Sequence, residues 1–340
     1  MVLALPNVIK VDSERRWLAR AVEVLRKGGL VAFPTETVYG LGADARNVNA
    51  VLKVFRVKRR PLSDALILHV SSVEMASSCV REFPEDAERL AREFWPGPLT
   101  LILPKRGWVP KEVTGGSDKV GVRWPAHPVA EALIRGFGSP LVAPSANVSG
   151  RPSPTRAEDV VAELGDSVDL IVDGGETPIG IESTVLDLTV DPPSVLRPGA
   201  IPVEEISRVL GKEVRLKFGE GSSRRARYSP RSRLVLVRFT GGDLLKYAER
   251  VAEVARAVCG EGAVIIASSE TAQAYLMSGF KVVDVGSRRD ALEVAKKLYR
   301  ALRVADALGR GCIVAEDFAG KGLWVAIRHR LMSAASEIIQ

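Results

Sequence analysis

The apolar positions change period repeatedly along the chain, and the changes predict alternating helices and strands. Over 13–27, Trp17, Ala21, Val24 and Leu25 recur at helical spacing and Gly28-Gly29 closes the segment, which predicts an amphipathic helix. Leu30-Val31-Ala32-Phe33 follows as a short apolar run ending at Pro34, the pattern of a buried strand. Helical spacing returns over 50–58 and 85–94, and strand-like runs cover 65–70, 99–103, 120–123 and 141–143. In the second half the alternation is strict. Strands at 234–239, 262–267, 281–285 and 311–315 each precede a helix, at 243–259, 270–278, 290–308 and 320–333. Four such units in tandem predict a parallel sheet with helices on both faces. Between the halves, residues 205–232 have little apolar pattern and read as a linker.

A chain of 340 residues exceeds what one core usually serves. The expected organisation is α/β throughout: a first domain over 1–204, a basic linker over 205–232, and a smaller Rossmann-like parallel α/β domain over 233–340. No apolar run approaches the roughly 20 residues of a membrane span. The first residues, Met1 to Pro6, are apolar but lack the order of a secretory signal. Cytoplasmic residence with no membrane partner is therefore expected.

Charge sharpens the division. Residues 1–200 are near neutral, with 24 Lys and Arg against 25 Asp and Glu, whereas 201–340 hold 24 against 16. Residues 212–233 alone carry eight basic and two acidic side chains, which suggests a phosphate-rich neighbour. The three cysteines (Cys79, Cys259, Cys312) are odd in number, far apart and outside CxxC spacing, so neither a disulfide framework nor a thiolate zinc site is expected. His69, His127 and His329 show no HxxH or HxxxH spacing, and no protein metal site is expected.

The standard nucleotide loops are missing. No GxxxxGK[ST] occurs, no GxGxxG follows a strand, and Thr240-Gly241-Gly242 is too short for a pyrophosphate grip. Four segments of the first domain combine polar side chains with Pro and Gly. Pro34-Thr35-Glu36-Thr37-Val38-Tyr39-Gly40-Leu41 ends a strand in hydroxyls and a glycine, so backbone can approach a small ligand. Lys53 to Arg60 packs five cations into eight residues, a density that a polyphosphate would relieve. Arg123 closes an apolar strand, where its guanidinium needs a carboxylate from a substrate or from an internal Asp or Glu. Pro144-Ser145-Ala146-Asn147-Val148-Ser149-Gly150 is a stiff, donor-rich loop suited to phosphate, ribose or base contacts. Ser183-Thr184-Val185 and Leu196-Arg197-Pro198-Gly199 complete the set.

Together and in this order, with Lys58-x-Arg60-Pro61, Trp95-Pro96-Gly97-Pro98-Leu99-Thr100 and Val122-Arg123-x-Pro125-x-His127-Pro128, these segments resemble the threonylcarbamoyl-AMP synthase family in its long, two-domain form. The resemblance implies a YrdC-type twisted mixed sheet for the first domain. It also implies a reaction: L-threonine, bicarbonate and ATP give threonylcarbamoyl-AMP and pyrophosphate, for threonylcarbamoyladenosine at position 37 of tRNAs. Carried over by position, Lys58 and Arg60 act on the triphosphate, with Ser145, Asn147, Ser153, Arg197, Lys119 and Tyr228 around the nucleotide. Thr35, His69, Arg123 and Ser183 hold threonine, Arg123 facing its carboxylate. Mg²⁺ is implied with ATP, bound mainly through phosphates. Docking of a downstream threonylcarbamoyl transferase and direct contact with tRNA stay open.

Departures are visible. Arg59 stands where the family often has glycine, and Ala65 where it often has proline. The linker reads Gly221-Ser222-Ser223-Arg224 and Arg227-Tyr228-Ser229-Pro230 in place of a Pro-Gly-Met-Lys stretch ending in His-Tyr-x-Pro. The main rival reading is an RNA-binding module without adenylation activity, but no aromatic residues interleave the basic runs as stacking platforms. Carbamoyl transfer of the hydrogenase-maturation type needs metal-binding domains that three cysteines and three histidines cannot supply.

Overall fold

The computed structural model describes residues 7–217, 227–308 and 311–340, and the chain divides into two units. The strands of the first are β1 (Val8–Lys10), β2 (Val31–Pro34), β3 (Tyr39–Asp44), β4 (Ile67–His69), β5 (Leu99–Pro104) and β6 (Lys119–Arg123). They continue with β7 (Leu141–Val142), β8 (Leu170–Asp173), β9 (Thr184–Asp187), β10 (Ser194–Arg197) and β11 (Arg215–Leu216). Its helices are α1 (Arg16–Arg26), α2 (Val48–Lys58), α3 (Val73–Cys79), α4 (Glu85–Phe94), α5 (Lys111–Thr114), α6 (Pro128–Phe137), α7 (Ala157–Leu164) and α8 (Val203–Leu210).

The strands join in one mixed sheet, in the order β1-β8-β2-β3-β7-β4-β6-β5-β9-β10-β11. Helix α1 turns Trp17, Ala21 and Leu25 inward, where they meet Val129, Leu133 and Ile134 of α6 over Val31, Phe33 and Val172 of the sheet. A larger apolar cluster, with Val51, Val54 and Phe55 of α2 and Leu90 of α4, also takes in the sheet residues Leu41, Leu68, Leu101 and Val122.

Local chemistry fixes the ends of α2. Asn47 accepts a hydrogen bond from the Ala50 amide at 3.2 Å, and Arg59 terminates the helix in the left-handed region at φ 50°. That conformation costs an ordinary side chain roughly 1–2 kcal/mol. The departure from the family's glycine thus falls at a position where glycine would be unstrained.

The reading of 205–232 as linker is corrected at its start. Helix α8 spans Val203–Leu210, burying Ile206 and Leu210 and packing against α4, and β11 adds a further strand. The charged face of α8 masked its apolar stripe. The first unit therefore runs past 204 to the end of this described stretch, at Lys217. Gly221 to Arg224 lie outside the described residues.

The second unit holds β12 (Arg233–Val237), β13 (Val264–Ala267), β14 (Lys281–Asp284), β15 (Cys312–Glu316) and β16 (Glu337–Ile339). Its helices are α9 (Leu244–Cys259), α10 (Ser269–Met277), α11 (Ala291–Leu308) and α12 (Leu323–Ala334). All pairings are parallel, in the order β14-β13-β15-β12-β16. The four expected βα units are present, and a short fifth strand is added at the edge. The expectation of no disulfide is overturned here. Cys259, at the end of α9, is bonded to Cys312, at the start of β15, across 53 residues of sequence. Helix packing makes that meeting, and no spacing rule shows it. A loop of this length corresponds to about 4 kcal/mol of stabilisation in the chain-entropy view.

Candidate active site

Five neighbouring strands of the first sheet, β4-β6-β5-β9-β10, bring functional side chains to one edge. His69 ends β4 and pairs in register with Arg123, which ends the parallel strand β6. Leu101 faces Val122 across the antiparallel β5–β6 pair, so Thr100 stands beside Arg123. Thr100 in turn faces Val185 of β9, whose register partner on β10 is Arg197. Ser183 immediately precedes β9 and shares a 2.8 Å hydrogen bond between hydroxyls with Thr100. Arg197 donates to the Ser183 carbonyl and hydroxyl, both at 2.9 Å. This close approach needs the glycine of Leu196-Arg197-Pro198-Gly199. A Cβ on Gly199 would lie 2.2 Å from the Thr184 nitrogen.

Arg123 is buried, donates to the Gly97 carbonyl at 3.3 Å and stands 2.7 Å from a Glu36 carboxylate oxygen. Both side chains are about 5% exposed. Of the two partners the sequence left open, the structure places an internal carboxylate against Arg123. Glu36 itself was not singled out by the sequence reading, although it lies inside the Thr35-Glu36-Thr37 string. Thr35 shapes that turn by accepting from the Thr37 amide at 3.1 Å and donating to the Val38 carbonyl at 2.7 Å.

Burial, followed by the Arg123 charge, lowers His69 to a pKa of about 3, so the imidazole is neutral near pH 7. The folded form resists a proton that the unfolded chain accepts at about 6.5. Its contribution to stability is complete above that pH and is lost as pH falls toward 3. We expect denaturation at pH 7 and pH 5 to show a loss of about 1–2 kcal/mol that His69→Gln abolishes. An unchanged pH dependence in that variant would rule the shift out.

A second group adjoins the donor-rich loop. Lys58, at the end of α2, is fully buried, and its amine donates to the carbonyls of Ser145 and, at 2.6 Å, of Asn147. The Ser149 amide answers by donating to the Lys58 carbonyl at 2.8 Å. Burial first, then the Arg60 charge, holds the Lys58 amine well below its ordinary pKa. Arg60 donates to the Asp64 and Ala65 carbonyls at 3.1 and 2.8 Å. Ser153 donates to Glu182 at 2.5 Å, next to Ser183, which links this loop to the strand edge.

Lys119 and Tyr228 were the other two residues expected around the nucleotide. Lys119 begins β6, four residues and roughly 13 Å from Arg123, and pairs with Asp187 at 3.2 Å. Tyr228 belongs to the second unit, its ring 5.5 Å from that of Tyr299. His127 caps α6, accepting from the Val129 amide at 3.2 Å.

A family profile described as threonylcarbamoyl-AMP synthase, C-terminal domain, matches residues 201–336, and one described as telomere recombination matches 23–199. The threonylcarbamoyl-AMP synthase of Pyrococcus abyssi is 42% identical over 333 residues, covering 94% of each chain. This chain belongs to the threonylcarbamoyl-AMP synthase family. The Bacillus subtilis member is 40% identical, over 94% of this chain and 92% of that one. The fold agrees along the whole length. The structure of P. abyssi Sua5 complexed with L-threonine matches with a TM-score of 0.87 at 39% identity, covering 98% of this chain and 99% of that one. A double alanine variant of the same P. abyssi protein matches with a TM-score of 0.89 at 40% identity, covering 98% of each chain.

Proposed function

We propose that the chain makes threonylcarbamoyl-AMP from L-threonine, bicarbonate and ATP, a nucleotidyl transfer in the service of tRNA modification. The carrying observation is the row His69, Arg123, Thr100, Ser183 and Arg197 along one sheet edge, tied through Glu182 and Ser153 to the loop that Lys58 anchors. A row of cations, small hydroxyls and a neutral imidazole suits a reaction whose reactants are all anionic or zwitterionic. Positioning and charge neutralisation then supply most of the acceleration.

In this reading Arg123 receives the threonine carboxylate, with Thr35, neutral His69 and Ser183 around the rest of the amino acid. The P. abyssi relative's complex with L-threonine supports that substrate. Threonine and bicarbonate give an N-carboxylate and water. One carboxylate oxygen attacks the α-phosphorus of ATP, the bond to the β-phosphate oxygen breaks, and pyrophosphate departs. Arg60, Lys58, Ser145, Asn147, Ser153 and Arg197 hold the nucleotide. Lys119, at the far end of β6, is left out of this assignment. Glu36 and Glu182, the carboxylates at this edge, are engaged by Arg123 and Ser153. No cluster of three metal-binding side chains occurs among the described residues. Mg²⁺ would be carried mainly on phosphates and water, where it would lower the charge repelling the carboxylate.

Purified protein supplied with threonine, bicarbonate, Mg²⁺ and ATP should release pyrophosphate, and omitting threonine or bicarbonate should stop it. Release that ignores both omissions would sink the assignment. Salt-sensitive tRNA binding without pyrophosphate release would instead favour an RNA-binding module.

A further inference from the structure

The second unit has no part in the reading above, yet its sheet carries a charged cluster at the place where open parallel sheets take ligands. Chain connections define that place. The steps β12 to β13 and β13 to β14 both run toward the β14 edge, and β14 to β15 and β15 to β16 run back. Right-handed crossovers then put α9 and α10 on one face and α11 and α12 on the other. The packing agrees, since α9 lies against α10 and α11 against α12. At the carboxyl end of β15 the chain therefore leaves toward one face while both neighbours, β13 and β12, leave toward the other. Such a reversal opens a crevice at the strand ends.

Glu316 ends β15 and Asp317 follows it, both fully buried. Glu316 is saturated: it accepts from the Ser268 amide at 2.9 Å, Thr271 and Tyr275 at 2.6 Å each, and Arg288 at 2.8 Å. Arg288 is equally closed, bonded also to Ser268 and the Asp317 carbonyl and lying 4.6 Å over the Phe318 ring. That half of the cluster is structural.

Asp317 differs. Arg328 at 2.7 Å, the Phe239 amide at 3.2 Å and the Arg238 Nε at 3.3 Å all crowd its Oδ2, while Oδ1 meets no donor. The Arg238 Nε–H is close to that oxygen but not aligned for a hydrogen bond, and the Arg328 Nε–H likewise lacks an acceptor. Each unmet buried group costs about 1–3 kcal/mol, so three around one carboxylate need an explanation. The two arginine side chains remain 25% and 27% exposed. Two guanidiniums against one carboxylate leave a net positive charge.

We propose that Arg238, Arg328 and Asp317 form a binding site for a phosphate monoester bearing a nearby hydroxyl, the chemistry of a sugar phosphate or nucleoside monophosphate. The phosphate supplies charge and acceptors to the two guanidiniums, and the hydroxyl supplies the donor that Asp317 Oδ1 lacks. The grip is by side chains, which is consistent with the short Thr240-Gly241-Gly242 turn.

Calorimetric titration of the full chain with ribose 5-phosphate tests this. Binding with a Kd of about 1 mM or tighter is expected, with inorganic phosphate about tenfold weaker. Arg238→Gln and Arg328→Gln should each weaken it about tenfold or more, and Arg60→Ala, in the first unit, should leave it unchanged. Arg328→Lys, which keeps the charge but loses the fork, covers the case in which a glutamine variant fails to fold, and it too should bind more weakly. No heat up to about 10 mM, binding indifferent to all three substitutions, or loss in Arg60→Ala would overturn the proposal. AMP binding as ribose 5-phosphate does identifies a nucleotide as the source, and a sugar phosphate alone identifies the other.

Discussion

Arg123→Ala is expected to raise the threonine concentration for half-maximal pyrophosphate release by about 10- to 100-fold, with the ATP requirement within about threefold. The size follows from one hydrogen bond to a charged partner, worth about 1.5–3 kcal/mol. A second effect accompanies it. Arg123 and Glu36 form a 2.7 Å ion pair with each side chain about 5% exposed. Removing one member of such a pair strands the other charge and costs about 3–5 kcal/mol of stability. Loss of activity alone is therefore ambiguous. The double variant Arg123→Ala/Glu36→Gln separates the causes: it should regain most of the stability and none of the threonine affinity. Equal losses for threonine and ATP, or recovery of threonine affinity with stability, would withdraw the carboxylate assignment.

Much of the fold was legible where periodicity was strong. The four βα units of the second half stand close to their expected positions because their strands are continuous apolar runs, buried on both faces. β14 is the partial exception, being only half-buried at the sheet edge. What escaped was short or polar. β16 has three residues, one of them Glu337, and β3 contains Gly40 and Gly42, which dilute its strand signal. Helix α8 escaped because only Ile206 and Leu210 of its eight residues are buried, too short a stripe to stand out.

The candidate site was legible as ordered strings, and those of Thr35, Lys58, Arg123 and Ser145 each carry a proline or glycine. Its internal pairing was less so. That Arg123 meets Glu36 depends on how the turn after β2 lies against the end of β6, and no local pattern encodes that distance. Lys119, expected only from the family resemblance, begins β6 and Arg123 ends it, because a strand places residues four apart at separate ends. The Glu36 signal was nevertheless present: a carboxylate between two threonines in an apolar segment needs a cation, and Arg123 was the one whose partner was unassigned.

Lys58→Met should reduce pyrophosphate release by about 100- to 1,000-fold, the scale of removing a preorganised group from a charge-stabilising site. The wild-type amine does two things. Without a bound nucleotide it satisfies the carbonyls of Ser145 and Asn147 and so holds the donor-rich loop against the end of α2. Methionine fills the space but leaves both carbonyls unmet in the interior, at about 1–3 kcal/mol each. The loop is then displaced together with the donors it presents. Burial also depresses the amine's pKa well below the ordinary 10.5. The unfolded chain therefore binds this proton more readily than the folded one. The stability contributed by Lys58 is complete above pH 10.5 and is lost as pH falls below it, a slope that Lys58→Met should remove. A triphosphate arriving beside Lys58 and Arg60 opposes that shift, because polyphosphate favours the ammonium form. Release that survives Lys58→Met within about tenfold would remove Lys58 from the phosphate site and leave it a purely architectural residue.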